Sequence, residues 1–288
     1  MRVAARDGTV FVQARDGTTL AVHLRGSGSP LLCVPGGPGR ASSYLEDLGG
    51  LADTRALHLL DNRGTGASEL PADRDSLQFV RLADDVEDVR RALGGDGLDV
   101  LGHSAGCPVV LTHAARHPGT VRRLVLVTPS GRPFGWEADD LDAIRAARAH
   151  EEWYADAVEA AAALADASPR VRSQLEKETR PFWYGRWDAR TQDHAAGADT
   201  QMSLRASAGY PPGPDYDAAA AAESLRSIDV PVLVVVGEHD ALTGVTVADR
   251  FLEALPRAEK AVIAGAGHFP WVDQPAAFAQ AVSEFLAS

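Results

Sequence analysis

Asp99-Val-Leu-Gly-His-Ser-Ala-Gly-Cys-Pro-Val-Val110 joins two apolar runs through a small centre, Gly102-His103-Ser104-Ala105-Gly106. The run before it, Leu98-Asp-Val-Leu101, has strand character, and residues 105–116 have helical character. A serine between glycines at a strand-to-helix junction is the setting of a nucleophile elbow, because glycines let the chain turn tightly and lift the hydroxyl clear of the backbone. The helix that follows aims free N–H groups and the positive end of its dipole at developing negative charge. The same five residues also make an ordinary tight turn. The reading of Ser104 as a nucleophile therefore depends on a base, an acid and an oxyanion site elsewhere in the chain.

A serine hydroxyl is a poor nucleophile unless a base removes its proton. Of the nine histidines, His268 is the best placed, in Gly265-Ala-Gly-His-Phe269, a glycine-rich loop just after the last apolar run, 260–263. Asp240, in Val236-Gly-Glu-His-Asp240, follows the apolar run 230–236 and is the expected acid that orients the imidazole. Glu238 is a weaker rival for that role. An oxyanion hole needs backbone N–H groups converging on one point. One donor is expected from Ala105, the other from Pro35-Gly-Gly-Pro-Gly39, the loop after the apolar run 31–34. Proline has no N–H, so Gly37 is the first choice and Gly36 the second. A phosphate-binding reading of this loop is disfavoured: no Lys-Ser/Thr follows it, and the dinucleotide glycine spacing is absent.

Strand-like runs at 9–13 and 18–24 flank Arg15-Asp16-Gly17, a hairpin signal. Further runs at 31–34, 56–60, 98–101, 124–127, 230–236 and 260–263 alternate with expected helices at 42–52, 77–93, 105–116, 245–254 and 274–286. Leu82, Val86, Val89 and Leu93 mark one apolar helix face. The alternation predicts a mainly parallel sheet covered on both faces, with an antiparallel edge from the hairpin. The strand rhythm stops after Val127 and resumes at Val230. We read 1–131 and 227–288 as the α/β core and 132–226 as an inserted helical cap. That insertion carries ten of the eighteen aromatic residues. Most are expected to pack the cap on the core, and the dense cluster Phe182-Trp-Tyr-Gly-Arg-Trp187 to line a pocket as well.

An excess of 40 acidic over 28 basic residues, with no basic run, argues against a nucleic-acid partner. Cys33 and Cys107 are too few for a disulfide framework and are expected to be buried free thiols. The apolar runs are too short to cross a membrane, and residues 1–17 have no apolar core of signal-peptide length. A cytoplasmic protein is expected.

Five motifs together resemble the α/β-hydrolase superfamily, and within it the proline iminopeptidase-like branch. They are Gly36-Gly-Pro-Gly39, Asp61-Asn-Arg-Gly-Thr-Gly-Ala-Ser68, Gly102-His-Ser-Ala-Gly106, Gly237-Glu-His-Asp240 and Gly267-His-Phe-Pro-Trp-Val-Asp-Gln-Pro275. The order Ser104, Asp240, His268 is that of α/β-hydrolases. The resemblance implies an α/β-hydrolase fold with a helical cap and a serine hydrolase using no cofactor and no metal. The expected substrate is a small molecule or short peptide, cleaved through an acyl-enzyme. An aminopeptidase or amidase is the first expectation; a carboxylesterase, lactonase or thioesterase with an aromatic acyl pocket is the alternative. Aminopeptidases of this branch bind the substrate ammonium with cap carboxylates, for which Glu137, Asp139, Asp188, Asp193, Asp215 and Glu223 are available. Asp188, with Trp183 and Trp187 beside it, is the favoured substrate-binding group. Two positions depart from the family: Pro35 stands where its oxyanion loop usually opens with His, and Ala105 where true proline iminopeptidases tend to carry Trp. The second departure weighs against an aminopeptidase. Arg63 matches the family's loop arginine and is expected to brace loops.

Overall fold

The computed structural model describes residues 3–6, 8–94 and 97–288. The signal-peptide reading covers residues 1–17, of which 1, 2 and 7 lie outside the described residues. The strands are β1 (Val3–Arg6), β2 (Thr9–Gln13), β3 (Thr19–Arg25), β4 (Ser29–Val34), β5 (Arg55–Leu60), β6 (Leu98–His103), β7 (Val121–Val127), β8 (Val232–Gly237) and β9 (Ala258–Ile263). They form one sheet in the order β1-β2-β3-β5-β4-β6-β7-β8-β9. β1, β2, β3 and β5 pair antiparallel in succession, and every pair from β5 to β9 is parallel. The hairpin at the antiparallel edge and the mainly parallel sheet agree with the sequence reading. β1 was not anticipated.

Side chains alternate between the two faces of the sheet. Leu32, Val34, Val100, Val234 and Val236 join one core with α1 (Phe79–Leu93) and α2 (Gly106–Arg116). Leu31, Cys33, Leu101, Val235 and Leu233 join the other, under the C-terminal segment. Leu82, Val86 and Val89 are buried as the spacing predicts, and both cysteines are buried and free.

One expected helix does not form. Residues 42–52 break into short 3-10 turns, Ser42–Leu45 and Leu51–Asp53. The chain between them takes positive φ at Glu46, Leu48, Gly49 and Gly50, which no right-handed helix contains.

Between β7 and β8 lie α3 (Leu141–Ala146), α4 (Tyr154–Ala163), α5 (Pro169–Glu178), α6 (Ala189–Gln201), α7 (Leu204–Gly209) and α8 (Ala218–Ser224). The fold then closes with α9 (Val247–Ala254), α10 (Pro270–Asp273) and α11 (Pro275–Ala287). The aromatics of the α3–α8 stretch serve packing first. Trp136 meets Phe251 of α9 at 5.1 Å and Tyr216 meets Phe79 of α1 at 5.4 Å.

From β4 the chain passes to β5 on one side, and from β6 to β7 on the other, so the chain leaves these two adjacent strands in opposite directions along the sheet. Such a switch point opens a crevice beyond the strands' carboxyl ends. The ladder pairs Val34 with Gly102, which brings Gly36 directly against Ser104.

Arg63 braces the loop after β5. Its Nε donates to Asp85 of α1 at 2.7 Å, and a second nitrogen to Asp16 of the β2–β3 hairpin at 2.7 Å. A third bond completes a two-pronged grip on Asp85. Removing one partner of a buried ion pair strands the other charge. Arg63→Met should therefore lower unfolding free energy by ~3–5 kcal/mol in urea denaturation, and a change below ~1 kcal/mol would contradict the bracing role.

Candidate functional site

Ser104 directly follows β6 and sits at φ 52°, a region that non-glycine residues rarely occupy. The surrounding glycines explain how it is held there. A Cβ on Gly36 would lie 2.6 Å from the His103 carbonyl, 2.9 Å from Ser104 Cβ and 3.0 Å from the Ala105 nitrogen. A Cβ on Gly106 would strike the Val34 carbonyl, and one on Gly102 would press on Val110 and Cys107. The β4 loop and the elbow thus touch backbone to backbone. Ser104 stays partly accessible, while Ala105 behind it is buried and opens the first turn of α2.

His268 reaches this place from the β9 side. His103, the residue before Ser104, donates Nε2–H to the His268 carbonyl at 3.0 Å, and the two imidazoles lie 4.9 Å apart. Thr128 Oγ donates to the same carbonyl at 3.0 Å. The His268 N–H donates to the Trp183 carbonyl at 2.7 Å, so the base loop is also bonded to the α5–α6 connection. His268 Nδ1 meets Asp240 Oδ2 at 2.9 Å. A carboxylate only accepts, so Nδ1 is the nitrogen that carries a proton in this bond.

Asp240 is completely buried. Burial would raise its pKa, but the His268 ring and several donors outweigh this and hold the carboxyl below its ordinary value. Those donors are the backbone N–H groups of Leu242 and Thr243 at 2.9 and 3.2 Å and the Thr243 hydroxyl at 2.5 Å. Glu238, the sequence rival, is half exposed and accepts the Gly265 N–H at 2.8 Å instead.

Two donors toward an oxyanion were expected from Gly37 and Ala105. The Gly36 N–H is already taken by the Tyr44 hydroxyl at 2.7 Å. The next N–H is that of Gly37, at φ 122°. Ala105 also accepts the Tyr210 hydroxyl on its carbonyl at 2.6 Å, from the connection after α7.

The three expected substrate-binding groups fare differently. Trp183 is half-buried and borders His268 through its carbonyl. Trp187 packs 5.7 Å from the Tyr184 ring. Asp188 caps α6 by accepting the Thr191 N–H at 3.1 Å, and its other oxygen pairs with Arg186 at 2.9 Å. Among the described residues no cluster of three or more His, Cys, Asp or Glu is gathered as for a metal, and no helix is long and apolar enough to cross a membrane.

The family model described as "alpha/beta hydrolase fold" matches residues 29–275. The chain is an α/β hydrolase. It is 24% identical over 272 residues to a proline iminopeptidase of Heyndrickxia coagulans, covering 91% of this chain and 92% of that one. The solved proline iminopeptidase of Mycobacterium smegmatis superposes with a TM-score of 0.76 at 24% identity, covering 97% of each chain. The esterase RhEst1 from Rhodococcus sp. ECU1013 superposes with 0.74 at 23% identity, covering 98% of this chain and 99% of that one. The chain thus resembles the proline iminopeptidase-like branch, and a solved esterase shares its fold equally.

Sequence reasoning missed Tyr44, Thr128 and Asp273 at this hydrolase site, although Asp273 lies inside one of the quoted motifs. Asp273 is buried; its Oδ2 accepts the N–H groups of Gly185 and Gly267 at 2.8 Å each, and its Oδ1 has no partner. Burial pushes its pKa up to about 6, with the backbone N–H groups of Gly185, Gly267 and Arg186 and the Arg186 charge pulling the other way. The folded protein therefore binds this proton more tightly than the unfolded chain does. The resulting stabilisation is full below the unfolded value and is lost as pH rises through about 6. Asp273→Asn keeps an acceptor for both N–H groups without titrating. Relative to that variant, the parent should gain stability in urea denaturation when pH falls from ~7 to ~5. A difference that does not change with pH would refute this.

Proposed function

We propose that this α/β hydrolase is a serine hydrolase that cleaves small or medium acyl substrates through an acyl-enzyme on Ser104. The observation that carries the reading is that Ser104, strained at φ 52°, follows His103, which bonds to the His268 carbonyl and lies 4.9 Å from the His268 ring, and that His268 Nδ1 meets a buried carboxylate. In this reading His268 Nε2 takes the Ser104 Oγ proton as Oγ attacks the carbonyl carbon. Asp240 holds the ring and stabilises the imidazolium. The N–H groups of Gly37 and Ala105 bind the oxyanion, and the dipole of α2 adds to them. His268 returns its proton to the leaving group, then activates a water that releases the acid and regenerates Ser104. Residues 132–226 act as the cap over the site, with Trp183 nearest the base. We place the reaction in the cytoplasm, in keeping with two unpaired cysteines.

We favour an ester or thioester as the substrate. A carboxylate that captures an ammonium works best where water is excluded and no other cation holds it. Glu137, Asp139, Asp188, Asp193, Asp215 and Glu223 are all exposed, and Asp188 and Glu223 already pair with Arg186 and Arg226. Cleavage of an amide beside a free α-amine is the second reading. It is favoured by the proline iminopeptidase of Heyndrickxia coagulans, which matches over nearly the whole chain.

Hydrolysis of p-nitrophenyl esters, amino-acid p-nitroanilides and their N-blocked counterparts should be compared, with Ser104→Ala as the blank. Ester turnover should not improve with a free amine, and Ser104→Ala should lose at least ~10³-fold in kcat. Anilide turnover that requires the free amine would transfer the protein to the aminopeptidases. Full activity in Ser104→Ala would refute a serine hydrolase.

A further inference from the structure

Donor and acceptor accounting in the buried cluster behind Ser104 resolves its proton positions. The His268 carbonyl can only accept, so His103 must carry its proton on Nε2. His103 is buried, and desolvation with the nearby His268 drives its pKa well down, so the ring is neutral and Nδ1 is a bare acceptor. The Tyr44 hydroxyl, 2.7 Å from that nitrogen, must therefore donate to it. The tyrosine oxygen then has lone pairs free, and one accepts the Gly36 N–H at 2.7 Å. The three bonds run in one sense, from Gly36 N–H to Tyr44 O–H to His103, and from His103 to the His268 carbonyl. Reversing the Tyr44–His103 bond would leave the bare Nε2 of the neutral ring facing the His268 carbonyl, acceptor against acceptor.

These bonds connect the three loops that the proposed reaction needs: the one after β4, the elbow after β6 and the one after β9. Tyr44 itself is gripped from several directions. The Arg40 guanidinium lies 4.4 Å above its ring, and His194 of α6 meets its carbonyl at 2.9 Å. The rings of Trp271 and Phe269 stand 6.1 and 6.0 Å away. Its hydroxyl is thus aimed by packing on all sides, although it does not itself face the crevice.

We propose that Tyr44 and His103 are positioning residues for the oxyanion site, holding Gly36 so that the Gly37 N–H points at the crevice and tying that loop to the backbone of the base. The proposal rests on the serine-hydrolase reading. Tyr44 consumes the Gly36 N–H, which makes Gly37 the donor, and it prevents the loop 35–39 from drifting away from Ala105. A displacement of about 1 Å in such a group costs on the order of 10²-fold in rate. The effect belongs to the transition state, because the oxyanion is formed only there.

The test is pre-steady-state hydrolysis of p-nitrophenyl acetate by the full chain. Tyr44→Phe keeps the ring and removes only the hydroxyl. His103→Gln keeps a donor toward the His268 carbonyl and removes the acceptor for Tyr44. The Tyr44→Phe burst and kcat should fall about 10- to 100-fold with KM within about twofold, as for loss of an oxyanion-site alignment. If the bonds act as one chain, the double variant should be no slower than the slower single variant. A Tyr44→Phe enzyme with parental kcat, while Ser104→Ala is inactive, overturns this inference and leaves the serine hydrolase standing. Multiplicative losses in the double variant overturn it too, since independent packing defects add. A Ser104→Ala enzyme that keeps its burst overturns the serine-hydrolase reading itself, and with it the inference. If His103→Gln does not fold, the kcat-against-KM split of Tyr44→Phe decides alone.

Discussion

A serine at φ 52° costs the chain ~1–3 kcal/mol, and it persists only where its surroundings leave no alternative. Here the surroundings are backbone. The parallel pairing of Val34 with Gly102 brings the loop after β4 against the elbow so closely that Gly36, Gly102 and Gly106 have no room for a Cβ. The Ser104 N–H remains bonded to the Val127 carbonyl at 2.9 Å, and its carbonyl accepts the Cys107 N–H at 3.0 Å as α2 starts. With both peptide groups held and both neighbouring loops in contact, the side chain can only project into the crevice. The loop after β4, the strained serine and the first turn of α2 are therefore one packing unit.

The same economy governs His268. Its N–H is held by Trp183, its carbonyl by His103 and Thr128, and its ring by Asp240. One of these four partners comes from residues 132–226, and the contact is deepened by glycines. A Cβ on Gly185 would strike the Gly265 carbonyl, and one on Gly267 would come within 2.7 Å of Tyr184. Lifting the 183–185 segment would free the base loop. The stretch between β7 and β8 is thus part of what holds the loop that carries His268.

The local rules read the core well. Short apolar runs alternating with helical spacing located eight strands and the central helices, because parallel strands buried on both faces need continuous apolar residues. Gly102 and Gly106 signalled the tight turn around Ser104, and the apolar runs before Asp240 and His268 placed both at strand ends. What stayed hidden depends on tertiary contact. Residues 42–52 look helical by composition, yet Glu46 and Leu48 take positive φ, and Tyr44 in the short turn before them bonds to His103. The role of Asp188 as a helix cap was concealed by the aromatic cluster beside it. Tyr44 carries no local pattern at all: its partners lie at Gly36 and His103, and only the sheet brings those two together.

Two buried carboxylates flank the base loop, and their environments assign them opposite tasks. Asp240 has donors on both oxygens, including the His268 ring and the Thr243 hydroxyl, so its charge is solvated by the protein and its pKa stays low. Asp273 spends one oxygen on two backbone N–H groups and leaves the other bare, so burial prevails and its pKa rises to about 6. A group that must stabilise an imidazolium has to remain charged throughout the working pH range, which Asp240 does. A group that only ties Gly185 to Gly267 serves either protonated or ionised, because the accepting oxygen is needed and the charge is not. The donor count around each oxygen, rather than distance to the histidine alone, separates the carboxylate suited to orient an imidazolium in the proposed reaction from the one that ties Gly185 to Gly267.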